Sequence, residues 1–211
     1  MKSQHQVVLS LGSNQGQRLE TIIQCIDVLH LEVGTVLKIS PVYESPAWGF
    51  ESTPFYNCAL VLHTTASPSQ VLSKILKIEK RLGRVRTATV GYAARSIDID
   101  IIAYDEIVLD TEKLQLPHPL MQDRNFVLLP FRDLQLNWIH PIFKKSILEL
   151  IVETIDNSIC QAVATIPTPL SSIPLEKFNY IAFEGNIGAG KTTLTNKIAE
   201  DFNAKTVLER F

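Results

Sequence analysis

Residues 83–102 read GRVRTATVGYAARSIDIDII and join an arginine-bearing loop to a segment in which isoleucine and aspartate alternate. In a β-strand, side chains two positions apart lie on one face of the sheet. The alternation therefore predicts a strand that buries its isoleucines and presents Asp98 and Asp100 together. Carboxylates hold Mg²⁺ and arginines bind phosphate oxygens, so the stretch favours a magnesium–nucleotide site. Spacing alone leaves a solvated strand face beside a charged loop equally open.

The composition is that of an ordinary globular protein. The chain has 211 residues, enough for one or two domains with a buried core. Its formal net charge of −2 gives no electrostatic reason to expect nucleic acid or a membrane surface as a partner. Three widely spaced cysteines without a CxxC pair favour free thiols in a reducing compartment. No apolar run near the N-terminus is long enough for a signal peptide, and a cytoplasmic location is predicted.

Hydrophobic periodicity predicts the elements that surround the opening stretch. The predicted strands lie at 7–11, 33–42, 57–65 and 97–104, and the predicted helices lie at 18–30 and 68–82. The order β-α-β-β-α-β is typical of an α+β, ferredoxin-like fold, with an antiparallel sheet and both helices on one face. Two shorter helices, near 126–134 and 146–155, are predicted to form a C-terminal extension.

The C-terminal part of the chain has a different character. Residues 159–177 are predicted to be a linker, because 166–174 carries three prolines among Ser and Thr residues. Beyond it, GNIGAGKT at 185–192 fits the phosphate-loop pattern GxxxxGK[ST] between a short apolar strand and a helix-like run. Such a loop binds phosphate through backbone N–H groups, with the lysine on phosphate and the threonine on Mg²⁺. The loop residues are Gly185, Gly190, Lys191 and Thr192. About thirty residues cannot build a complete P-loop core, so this piece is predicted to be an incomplete α/β fragment.

Seven short motifs follow one another through the first part of the chain. They are LGSN (11–14), YESP (43–46), FYN (55–57), IEKRLGR (78–84), ARSIDIDI (94–101), LPH (116–118) and RNF (124–126). In this order they resemble the 6-hydroxymethyl-7,8-dihydropterin pyrophosphokinases of folate synthesis. The resemblance implies a domain at 1–158 that transfers pyrophosphate from ATP to the hydroxymethyl group of the pterin and releases AMP.

The same resemblance implies roles for individual residues. The catalytic residues would be Arg84, Arg95, Asp98 and Asp100, with both aspartates holding two Mg²⁺ ions. ATP would be contacted by Glu79, Arg84, Arg86, Arg95, Ile101, His118 and Arg124. The pterin would be bound by Ser45, Pro46, Ala47, Trp48, Phe55, Asn57 and Phe126. Among these, Phe55 and Phe126 would enclose the flat ring, as aromatic faces suit a heterocycle.

One departure from the family pattern lies in the arginine loop. The family usually carries a basic residue, Trp, Gly and Pro before the arginine equivalent to Arg95. This chain has Gly-Tyr-Ala-Ala at 91–94, so a loop arginine is missing, and Arg86 is not an evident replacement. The departure leaves a non-catalytic pterin-binding module as an alternative to the enzyme.

The phosphate-loop segment carries a second resemblance. YIAFEGNIGAGKTTL at 180–194 resembles the start of the deoxynucleoside kinases, and the likeness spans 178–211. It implies a parent protein in which a kinase domain is fused after the pterin enzyme, with this chain as a truncated form. Deoxynucleoside kinase activity of the chain itself is the other alternative, against which the incomplete domain argues.

Overall fold

The computed structural model describes residues 3–49, 51–84, 94–171, 180–184, 190–201 and 204–207. The chain divides into two units, Met1–Leu170 and Ser171–Phe211. Two of the predicted site residues, Arg86 and Gly185, lie outside the described residues, as does most of the atypical arginine loop.

An antiparallel sheet forms the centre of the first unit. Within the described ranges, the strands of this unit are β1 (His5–Ser13), β2 (Thr35–Ile39), β3 (Val42–Ser45), β4 (Phe55–Thr64), β5 (Asp98–Tyr104), β6 (Leu109–Asp110), β7 (Gln115–Leu116) and β8 (Gln161–Ala164). The main sheet has the order β5-β1-β4-β3-β8, with β2 also paired to β4, while β6 and β7 form a separate ribbon. The α+β class and the antiparallel sheet are therefore confirmed.

Helices cover both faces of this sheet. Those of the first unit are α1 (Arg18–Glu32), α2 (Pro68–Arg81), α3 (Asn125–Asp133) and α4 (Ile147–Glu153), with a 3-10 turn at Met121–Asp123 before α3. One core packs α1 and α2 against one face, and a second core packs α3 and α4 against the other. The central strands β1 and β4 are buried on both sides, which explains why they read as continuous apolar runs rather than as alternating ones.

Capping and proline positions fix several element boundaries. Ser67 forms a capping box with Gln70 at the start of α2, where Pro68 occupies the first turn. The single strand predicted at 33–42 is two strands, because Ser40 and Pro41 interrupt it. Pro41 has no N–H to donate to a ladder, and the Ser40 hydroxyl accepts the Ala59 N–H at 2.9 Å instead.

The predicted linker at 159–177 begins inside the first unit. β8 lies within it and pairs with β3, and Ile166 packs against the first core. The prolines start only at Pro167, so nothing prevents the residues before it from joining the sheet edge. The first unit accordingly runs to Leu170, and the boundary predicted at residue 158 is too early.

The second unit contains helix α5 (Lys191–Asp201), which follows Gly190 at a φ of +78°. Such a backbone angle favours glycine, because a Cβ would be strained there. None of the helices in the described part of the chain combines the length and the apolar character that crossing a membrane requires.

Replacing Leu60 by alanine is expected to destabilise the first unit by about 2–5 kcal/mol, because the deletion leaves a cavity in the middle of the sheet. Leu60 is fully buried on β4, opposite Leu9 on one side and Ile39 on the other. Urea unfolding followed by circular dichroism measures the change. The control is Leu148→Ala on the exposed side of α4, where about 0.5 kcal/mol or less is expected. Equal losses for both variants would contradict this packing.

Candidate active site

A cleft at one end of the sheet brings together most of the residues predicted for ATP and pterin. Its lining comes from β1, the β3–β4 connection, β4, β5 and the segment that leads into α3. The lining residues are Ser10, Gly12, Ser45, Pro46, Trp48, Phe55, Asn57, Arg95, Asp98, Asp100, His118, Arg124 and Phe126. Ser10 and Gly12 are the members of this set that sequence reasoning missed.

The strand pairing explains why these two β1 residues belong to the cleft. Ser10 lies opposite Asp100 and Gly12 lies opposite Asp98 in the β1–β5 register. A side chain at Gly12 would approach the Asn57 amide oxygen to 3.0 Å, so glycine keeps the floor of the cleft open. The LGSN motif spans this region, but its relation to the aspartates becomes visible only once the register is known.

Asp98 and Asp100 both line the cleft, while Ile99 and Ile101 pack into the α1–α2 core. The alternation in the sequence predicted this division. Asp98 accepts hydrogen bonds from Arg84 and Arg95. Burial, followed by the neighbouring charge of Asp98, raises the pKa of Asp100 from its ordinary 3.8 to about 7.

The two carboxylates fit a magnesium site in their chemistry. Mg²⁺ is usually held by one or two protein carboxylates, with substrate phosphates and water completing its shell. Burial, and after it the charge of Asp98, disfavour the ionised form of Asp100, so a cation beside these two partly buried carboxylates would be favourable. In the described parts of the chain, no cluster of three or more His, Cys, Asp or Glu side chains forms a closed protein cage.

Glu79 lies beneath the cleft and is 2% exposed. Its carboxylate accepts a hydrogen bond from Arg84 and another from the backbone N–H of Ile99, at 2.9 Å. Glu79 therefore holds the strand between the two aspartates and fixes one of the arginines. The sequence resemblance implies a contact of Glu79 with ATP; in the structure its described bonds are to protein groups, and it is not among the cleft-lining residues.

Two further residues that were predicted to contact the substrates, Ile101 and Ala47, are not among the cleft-lining residues. The side chain of Ile101 is 4% exposed and belongs to the α1–α2 core, so it faces away from the aspartates. Ala47 is only partly buried and is not part of the lining formed by the described residues, although Ser45, Pro46 and Trp48 around it are.

His118 presents a neutral ring to the cleft. Burial, followed by the charge of Arg124, lowers the pKa of His118 to about 4. Its Nδ1 accepts the backbone N–H of Leu120 at 3.2 Å, and its own backbone N–H donates to Ile102 at 2.9 Å. With Nδ1 as acceptor, the neutral ring carries its proton on Nε2, which is then a hydrogen-bond donor.

Arg124 lies near two aromatic rings of the cleft. Its guanidinium carbon is 5.0 Å from the centre of the Trp48 ring and 5.7 Å from that of Phe126. These distances are in the range of cation–π attraction, which orients the guanidinium group. Deeper in the cleft, the Asn57 side-chain amide donates to the Ser45 hydroxyl at 2.8 Å, which fixes the direction of this buried amide.

Asn14 connects the strand floor to two loops beside the cleft. Its side-chain oxygen accepts the Arg95 N–H at 2.7 Å, and its side-chain nitrogen donates to Ser52 and Thr53. The Asn14 backbone N–H also donates to the Arg95 carbonyl at 3.1 Å. Asn14 therefore anchors the end of the arginine loop, a role that the LGSN motif contained but that sequence reasoning did not assign.

The pKa of Asp100 predicts how the stability of the cation-free protein depends on pH. The folded protein keeps a proton on Asp100 up to about pH 7, whereas the unfolded chain loses it near 3.8, so stability falls as the pH rises between these values. Asp100→Asn removes the free-energy cost of ionising this carboxyl group in the folded protein. It should therefore raise the free energy of unfolding at about pH 8 by more than about 1 kcal/mol. Urea unfolding with a chelator present measures it.

The control for this measurement is Asp110→Asn, since Asp110 is exposed and hydrogen bonded only to Gln115 among the described contacts. The free energy of unfolding of Asp110→Asn should depend on pH in the same way as that of the wild-type protein. If Asp100→Asn also ran parallel to the wild-type protein, the raised pKa would be refuted.

Comparison with known proteins identifies the family. The sequence model of 7,8-dihydro-6-hydroxymethylpterin-pyrophosphokinase (HPPK) matches residues 8–136. The 2-amino-4-hydroxy-6-hydroxymethyldihydropteridine pyrophosphokinase of Aquifex aeolicus is 42% identical over 144 residues, which are 68% of this chain and 88% of the relative. The protein of the same name from Porphyromonas gingivalis is 39% identical over 138 residues, covering 64% and 93%.

Longer proteins share the same region. The folic acid synthesis protein fol1 of Pneumocystis carinii is 37% identical over 154 residues, but these are only 20% of that protein. A solved structure of Plasmodium falciparum HPPK-DHPS, wild type with pteroate, superposes with a TM-score of 0.57 at 16% identity and covers 72% of this chain. The matched part is 42% of that solved chain, and at this identity the likeness shows the fold alone. From the family match and the close bacterial relatives, the chain belongs to the 7,8-dihydro-6-hydroxymethylpterin-pyrophosphokinase family.

Proposed function

We propose that this protein transfers pyrophosphate from ATP to the hydroxymethyl group of 6-hydroxymethyl-7,8-dihydropterin and releases AMP, in folate synthesis. The observation that carries the proposal is the pair Asp98 and Asp100 on the floor of a cleft that also contains Arg95, His118 and Arg124. Family membership supplies the reaction, and the cleft contains the groups that the reaction needs. We infer that it acts in the cytoplasm on small molecules, with neither nucleic acid nor a membrane as partner.

The bonds that change define what the cleft must do. The pterin hydroxyl oxygen forms a bond to the β-phosphorus of ATP, and the bond from that phosphorus to the bridging oxygen of the α-phosphate breaks. AMP leaves with that oxygen, and the hydroxyl proton passes to solvent. Little covalent chemistry falls to the protein, so positioning and charge stabilisation account for most of the rate.

Asp98 and Asp100 would hold two Mg²⁺ ions, which would stabilise the charge of the phosphates and acidify the attacking hydroxyl. The arginines complement this role. Arg84 and Arg95 pair with Asp98 in the structure, and both would be free to turn towards phosphate oxygens once a cation occupies the carboxylate. Glu79 would keep Arg84 at the edge of the site during this exchange, because it bonds the same guanidinium group.

The remaining lining residues suit the other parts of the two substrates. His118 and Arg124 would donate to ATP oxygens, the first as a neutral ring and the second as a cation held by aromatic faces. Phe55 and Phe126 would enclose the pterin ring, and Asn57 would bond its polar edge.

Asp98→Asn should reduce AMP formation about 100-fold or more, because it removes the charge that holds both the cation and the two arginines. The measurement is AMP release that depends on pterin and Mg²⁺ together, with circular dichroism to verify the fold. Asp110→Asn, at an exposed position of the β6–β7 ribbon, is the matched control and should retain the wild-type rate. An unaffected rate for Asp98→Asn would refute the assignment of the metal ligand.

The same assay separates the alternatives. AMP formation supports the pyrophosphokinase, and ADP formation with a deoxynucleoside supports a nucleoside kinase. Binding of pterin without either product supports a non-catalytic module, for which the missing loop arginine is the motivating feature.

We further propose that residues 178–211 derive from the start of a deoxynucleoside kinase fused after the pterin enzyme. The supporting observations are the GNIGAGKT motif and a helix that begins at Lys191 directly after Gly190. Lys191→Ala should then leave the AMP assay unchanged, because the loop takes no part in it. A gene that continues past Phe211 with the remaining kinase strands would support the fusion, and one that ends there would exclude it.

A further inference from the structure

Helix α3 carries two cleft residues at its start but has no local cap. Arg124 occupies the N-cap position and Phe126 lies in the first turn, and no side chain at the N-cap position closes the helix. The first N–H groups of a helix lack partners within it, and Ser, Thr, Asp or Asn usually supplies an acceptor. Helices α2 and α4 differ in this respect, because Ser67 and Ser146 each form a complete capping box at their starts, whereas α1, like α3, has no side-chain cap at its N-cap position.

The missing acceptor of α3 comes from residue 156, which follows α4. Asp156 Oδ2 accepts the Asn125 N–H at 2.7 Å, and the Asp156 backbone carbonyl accepts the Asn125 side-chain amide at 2.5 Å. The other carboxylate oxygen accepts the Ser158 N–H at 2.8 Å. Both carboxylate oxygens of Asp156 therefore accept hydrogen bonds, and these bonds hold the carboxylate against Asn125, the first residue of α3.

This cap lies directly behind the cleft. Asn125 is the residue between Arg124 and Phe126, so the bonds to Asp156 define where both side chains leave the backbone. A carboxylate at a helix N-terminus is also favourable for the helix dipole. A site whose supporting groups are rigid loses affinity when that support is removed, even if every contacting side chain remains.

We propose that Asp156 is a positioning residue, which caps α3 from a distant segment and thereby holds Arg124 and Phe126 in their binding geometry. Asp156 is not part of the cleft lining formed by the described residues, and it lies beyond the residues 8–136 that the family model matches. The proposal rests on the proposed function for what is bound, whereas the cap itself is independent of the reaction.

The test compares Asp156→Ala and Asp156→Asn with the wild-type protein in the AMP assay. Loss of the cap should raise KM for pterin and ATP about three- to tenfold and change kcat less, because Asp98 and Asp100 are carried by β5 rather than by α3. Asp156→Asn keeps one acceptor oxygen and should give an intermediate KM. Amide hydrogen exchange at Asn125 should accelerate in the same order, which reports the cap directly.

Ser146→Ala is the matched control, because it removes the side-chain cap at the start of α4 and leaves the Asp156 bonds to α3 in place. It should lower stability while leaving both KM values unchanged. Wild-type KM values for Asp156→Ala, or an equal rise for Ser146→Ala, would overturn the positioning role. If the wild-type protein released no AMP, the proposed function would fail on its own. Calorimetric titration of ATP with Mg²⁺ into the same variants would then decide the positioning role, with weaker binding supporting it and unchanged binding overturning it.

Discussion

The pairing of β5 with β1 is the constraint on which the site depends. It places Asp98 opposite Gly12 and Asp100 opposite Ser10, while Ile99 lies opposite Leu11. Side chains alternate along a strand, so a slip of one residue would bury both carboxylates among the apolar side chains of the other face. The cost of burying unpaired carboxylates opposes that slip, and the isoleucines that pack on α1 and α2 oppose it as well.

On the face of the sheet that carries the aspartates, one part is covered by α3 and α4, and the other part lines the cleft. Val8, Val61 and Ile102 lie on this face and pack beneath α3 and α4. Further along the same strands, Ser10 and Asp100 are in the open cleft. The point at which α3 begins therefore separates core from site. That is why the start of this helix, rather than its middle, carries Arg124 and Phe126.

Sequence reasoning predicted the features that depend on neighbouring residues. The alternation around Asp98 and Asp100 needs no knowledge of the fold, and the helices of the first unit follow from their periodicity. Contacts between residues that are far apart in the sequence could not be predicted in this way. The acceptor for Asn125 lies 31 residues further along the chain, and the contacts of Asn14 reach across 81 residues to Arg95.

The burial of a charged side chain was another property that the sequence did not reveal. The sequence shows a glutamate at position 79, but it does not show whether the side chain contacts a ligand or supports the strands from inside the protein. Its 2% exposure and its bond to the Ile99 N–H favour the internal support. The linker was misjudged for a related reason, since the short strand β8 has a composition that also suits a loop and is defined by its pairing with β3.

The charges around the cleft explain how a buried acidic site can exist before its substrates arrive. Asp98 and Glu79 are paired with arginines, so their charges are compensated within the protein. Asp100 has no such bond to another described residue, and its raised pKa keeps it protonated over much of the acidic range. A cation bound beside the aspartates would favour the ionised form of Asp100, and in the proposed function Arg84 and Arg95 would then be free to pair with phosphate oxygens. In the proposed function, the arginines that would bind phosphate are paired beforehand with Asp98, which would also bind the cation, so the charges of the cation and of the phosphates would be compensated together.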